Sequence, residues 1–98
     1  MSTCTRVLKF YDAVIRLIMI NKANPSEIEL YVIARIKEKR LDAKLSQSKF
    51  ALEMNLSYGF IGQVENPKRR AKYNLNHINQ AAKVFGCSVK DLMPDNPF

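Results

Sequence analysis

The sequence has no tryptophan, one histidine, two cysteines and three glycines, and sixteen basic residues outnumber nine acidic ones. Each scarcity excludes something. Cys4 and Cys87 stand near opposite ends of the chain with no CxxC spacing, and His77 alone is left to complete a metal site. That rules out a zinc finger and predicts no bound metal. Three scattered glycines cannot build a phosphate-cradling loop, and no carboxylate pair or nucleophile with an adjacent base can be assembled. The expectation is a non-enzyme with no catalytic residues and no cofactor.

Long apolar runs are missing too. Within the apolar stretch 7–20, Lys9, Asp12 and Arg16 interrupt the pattern, so neither a signal sequence nor a membrane anchor is expected. Two cysteines so placed fit free thiols in a reducing cytoplasm, with a Cys4–Cys87 bridge as the alternative.

What is present is a chain of 98 residues, enough for one core, with 47% apolar residues and a net charge of +7. A surplus of that size on a small body favours polyanionic partners.

Apolar residues recur at helical spacing along most of the chain. Val7, Phe10, Tyr11, Val14 and Ile18 predict an amphipathic helix over residues 5–21, although its end, 17–20, also reads as a short strand. Ser26 with Glu29 forms a capping box that starts a helix at Glu27 and carries it to about Asp42. Its expected buried stripe is Ile28, Tyr31, Val32, Arg35 and Ile36, with Leu41 near the end. Ser46 caps a short helix that buries Phe50, Ala51 and Met54, and Asn55 fits a left-handed stop. Ser57 caps another, 58–65, with Ile61 and Val64 inward and Pro67 preventing continuation. Asn74 caps a helix with Leu75, Ile78, Ala82 and Phe85 on one face and Gly86 at its end. Ser88 with Asp91 opens a last short helix supported by Leu92 and Met93, leaving 95–98 as a loose tail.

Residues 45–66 resemble the helix-turn-helix of the phage repressor/Cro family, and the likeness extends over about 28–93. Gln47, Ala51, the turn Asn55-Leu56-Ser57, Ile61, Glu65 and Gly86 carry it. The resemblance implies an all-α, five-helix repressor-like domain over 26–98, with the motif at about 46–66 and residues 1–25 as an added N-terminal helical extension. It implies a sequence-specific regulator of transcription, a repressor by expectation, that binds double-stranded DNA as a homodimer and inserts helix 58–65 into the major groove.

On that reading Tyr58, Gly59, Phe60, Gly62 and Gln63 meet the bases, Gln63 by bonding adenine N6 and N7 together. Phe60 reads equally as a thymine contact or as part of the core. Gly59 and Gly62 mark a close approach, either of DNA or of a neighbouring helix. Gln47, Ser57, Asn66, Lys68, Arg69, Arg70 and Lys72 are the expected phosphate contacts. The family pattern also implies a structural ion pair between Arg40 and Glu65. Two positions depart from that pattern, Lys44 and Pro67, where glycine is common, and they leave the two loops open.

A second reading is a protein-interaction module, an antitoxin or adaptor, that captures a partner through residues 5–21. The apolar stripe there must be buried on the core, in a second subunit or by a partner.

Overall fold

A computed structural model describes residues 25–98; the helix expected over 5–21 lies outside them. Among the described residues are four α-helices, one 3-10 helix and no strand, so this part of the chain is all-α. The helices are α1 (Glu27–Asp42), α2 (Gln47–Met54), α3 (Tyr58–Glu65) and α4 (Leu75–Phe85), followed by the 3-10 helix Val89–Leu92. The element expected after Ser88 is therefore a single tight turn, capped by Ser88 and Asp91, and not a further α-helix.

The starts are set by local chemistry. Ser26, Ser46, Ser57, Asn74 and Ser88 each accept the amide three residues on. In α1 and α4 the bond is reciprocated, by the Glu29 carboxylate and by the His77 imidazole. Each such cap is worth about 1 kcal/mol. The stops are equally local: Asn55 and Gly86 take left-handed conformations with φ of 57° and 65°.

The core is centred on Ile36, Phe50, Ile61 and Leu92, one from each of α1, α2, α3 and the 3-10 helix, all fully buried. Phe50 also stacks on Phe85 of α4 with centroids 5.3 Å apart. Truncating a phenylalanine so enclosed costs about 3–5 kcal/mol. α2 and α3 share the largest interface, and Ala51, almost wholly buried where they meet, lets them approach closely.

The buried arc of α1 is wider than a single stripe. Leu30, Tyr31, Val32, Ile33, Ile36 and Arg40 are all buried, whereas Ile28 and Leu41, expected inside, are 38% and 56% exposed. α1 packs on α3, on α4 and on the 3-10 helix, so more than one of its faces is covered. Arg35 adds a bond from Nε to the Asp91 carbonyl at 3.0 Å and an ion pair with Glu38. In α4, Leu75 lies outside at 77% exposure and Ala81 takes the buried position beside Ile78 and Ala82. Nor is the C-terminal stretch loose throughout: the ring of Phe98 lies 6.1 Å from that of Tyr31 on α1. No described helix is long and apolar enough to cross a membrane.

Candidate nucleic-acid interface

α3 has one end fixed and one end open. At its C-terminal end the Glu65 side chain is 2% exposed and is gripped by Arg40, whose Nε donates to Oε2 at 2.8 Å and whose Nη2 donates to Oε1 at 2.9 Å. The remaining Arg40 nitrogen, Nη1, donates to the Leu45 carbonyl at 2.7 Å. One guanidinium therefore ties α1, the turn before α2 and α3 together with fork geometry that lysine could not supply.

Gln47 completes the clamp, its Nε2 donating to Glu65 Oε1 at 3.0 Å. A carboxylate accepts and does not donate, so Glu65 dictates which end of the Gln47 amide faces it. One amide hydrogen and the carbonyl oxygen of Gln47 remain for other partners. Tyr73, which the sequence reading did not single out, is buried near this group, and its hydroxyl has no hydrogen-bond partner among the described residues. Burial raises the Tyr73 phenol pKa, the Glu65 charge adds to the effect, and the Arg40 charge partly offsets it, so the phenol stays neutral.

Among the described residues nothing encloses the other end or the outer face of α3. Tyr58 is 61% exposed, and Gly59 and Gln63 are exposed as well. A Cβ added at Gly59 would meet nothing within 4 Å, and one at Gly62 would meet only Gln47 Oε1, at an ordinary 3.7 Å. Close helix packing therefore does not account for either glycine. Phe60 turns partly inward, 6.2 Å from the Tyr73 ring and 5.1 Å from the His77 ring. Of the five residues expected to meet bases, Tyr58, Gly59 and Gln63 are exposed, Gly62 is half-buried beside Gln47, and Phe60 braces α3 against α4.

Past α3, Asn66 is extended, as the residue before a proline must be, and the loop folds back on it. Its side-chain oxygen accepts from the Lys68 amide at 3.0 Å and its carbonyl accepts from the Arg69 amide at 3.0 Å. Pro67 is accommodated at the second position of this turn. Gln63, Lys68, Arg69, Arg70 and Ala71 then line an open concavity of about 570 Å³ beside α3.

Lys72 is placed differently from its neighbours. Its Nζ lies 2.9 Å from Glu29 Oε2, joining the loop to the cap of α1. Partial burial raises the Glu29 pKa, but bonds from the Ser26 amide and from Lys72 outweigh it and hold the carboxyl below its usual range. Ser57 accepts from the Phe60 amide at 3.2 Å and keeps its hydroxyl proton for another partner. No group of three or more potential metal ligands occurs among the described residues, and Cys87 is a free, half-buried thiol. No family model, no curated protein and no solved structure matches the chain.

Proposed function

We propose that this protein binds double-stranded DNA sequence-specifically through α3 and regulates transcription, acting as a repressor. The observation that carries the reading is the open face of α3: Tyr58, Gly59 and Gln63 are exposed, with the half-buried Gly62 beside them, on a helix whose far end is clamped. A helix that presents exposed side chains from a fixed base, with a cationic loop beside it, suits a major groove walled by phosphates.

In this reading Gln63 reads adenine, Tyr58 contacts a base or a neighbouring phosphate, and the two glycines let the backbone approach the base edges. Lys68, Arg69 and Arg70 meet phosphates, and Gln47, Ser57 and Asn66 add neutral hydrogen bonds. Lys72 contributes only if it exchanges Glu29 for a phosphate. The protein acts by binding alone, with no catalytic step, cofactor or metal. One eight-residue helix touches few base pairs, so a homodimer that places two such helices one turn of DNA apart supplies the longer site that selectivity needs.

The test is selection of preferred duplexes from a random pool, followed by affinity measurements across a salt series. The reading predicts a two-fold symmetric site and an affinity that falls steeply with salt. Absence of salt-dependent binding by the folded protein would overturn it.

A further inference from the structure

Three described helices end on the same backbone device. A residue just past the helix turns left-handed, and the next amide returns to a carbonyl five residues back: Leu45 to Arg40 at 3.0 Å, Leu56 to Ala51 at 2.9 Å and Cys87 to Ala82 at 3.0 Å. The left-handed residue is Asn55 after α2 and Gly86 after α4, the two residue types suited to the role. After α1 it is Lys44, one residue beyond the right-handed Ala43, with φ of 59°. Lysine brings the Cβ penalty of that conformation without the short polar side chain that relieves it in asparagine.

Nothing among the described residues repays the strain. Lys44 is exposed and has no ion pair or side-chain hydrogen bond among the described residues. A cation is welcome at the C-terminal end of α1, but Lys39 and Arg40 already occupy its last turn. The position itself is well fixed. Arg40 holds the adjacent Leu45 carbonyl while gripping Glu65 of α3, and three residues on Gln47 lies against Gly62 and Glu65. Lys44 therefore stands at the entrance to the α2–α3 pair, whereas Lys68, Arg69 and Arg70 stand at its exit.

We propose that Lys44 is a phosphate-contacting residue, retained for its charge in a conformation that glycine would adopt without strain. The inference rests on the DNA-binding reading above. A helix lying in a groove faces phosphates along its length, and Lys68, Arg69 and Arg70 supply cations from the loop that leaves the α2–α3 pair. Lys44, with Lys49 on α2, supplies them from the segment that leads into it.

The test uses the full chain and the variants Lys44→Gly and Lys44→Asn, with Lys68→Ala as a reference. Thermal unfolding is measured alongside binding to the duplex selected by the wild type, across a salt series. Lys44→Gly should melt a few degrees higher than wild type yet bind several-fold more weakly at low salt. Its slope of log affinity against log salt should be shallower by about 0.9, the loss of one phosphate contact. Lys44→Asn should show the same loss of slope.

If Lys68→Ala flattens the slope while both Lys44 variants bind as wild type, the assignment of Lys44 is overturned and the interface stands. A fall in melting temperature for Lys44→Gly would show that the lysine serves the helix end, and would also overturn it. If the wild type shows no salt-dependent binding, the underlying reading fails and this proposal with it.

Discussion

The two ends of α3 differ in almost every respect although eight residues make up the whole helix. At one end Glu65 is nearly inaccessible and accepts three hydrogen bonds from Arg40 and Gln47. At the other, Tyr58 and Gly59 touch little, and a side chain added at Gly59 would enter open space. Among the described residues one end is held by the rest of the protein and the other is uncovered. Substitutions should therefore sort cleanly, with stability changing at the clamped end and binding at the open one.

The largest effect is expected from breaking the clamp. Glu65→Ala strands the buried Arg40 guanidinium and should cost about 3–5 kcal/mol of stability, read by thermal or denaturant unfolding. Tyr58→Ala, at the open end, should leave the same transition within about 0.5 kcal/mol of wild type. A Glu65→Ala protein that melted normally but preferred different DNA would erase the distinction between the ends.

Next in size is a split between stability and binding at one position. Gly59→Ala should stabilise the fold by about 0.8–1 kcal/mol, because alanine favours the helix and its methyl meets nothing. If α3 enters the groove as proposed, the same change should weaken DNA binding, since the methyl would intrude between the helix and the base edges. Parallel unfolding and binding curves show whether the two effects have opposite signs.

The smallest effect concerns the brace behind the open face. His77 Nδ1 accepts from the Asn74 amide at 3.1 Å, which requires the neutral imidazole, and desolvation lowers its pKa from the ordinary 6.5. Above that value both folded and unfolded chains hold the ring neutral. As pH falls through about 6.5 the unfolded chain takes up the proton first, so stability is lost progressively until the folded pKa is passed. His77→Gln keeps a capping partner at the same place and should flatten the stability profile below pH 6.5. An unchanged slope in that variant would assign the pH dependence elsewhere.

The boundaries of the described elements were legible in the sequence because they depend on bonds between residues three to five apart. Ser26 with Glu29, Asn55 and Gly86 are examples. Burial was legible only where a helix shows one face to the core, as α2 does with Phe50, Ala51 and Met54. It failed for Ile28, Leu41 and Leu75, because which side is covered depends on neighbours distant in sequence.

The Arg40–Glu65 pair spans 25 residues and followed from the family resemblance, not from any periodicity. The bond from Gln47 to the same carboxylate was not anticipated, and neither was the burial of Tyr73. Lys44 was visible as a departure from a pattern, but its meaning came only with its backbone angle.

The most direct test of the central claim compares Gln63→Ala with wild type in site selection from random duplexes, with unfolding measured on the same samples. An open face that reads bases predicts unchanged stability, retained salt dependence and a selected site relaxed at one base pair per half-site, a loss of about 1–3 kcal/mol of discrimination. Gln63→Ala selecting the same site as wild type with the same stringency would contradict it.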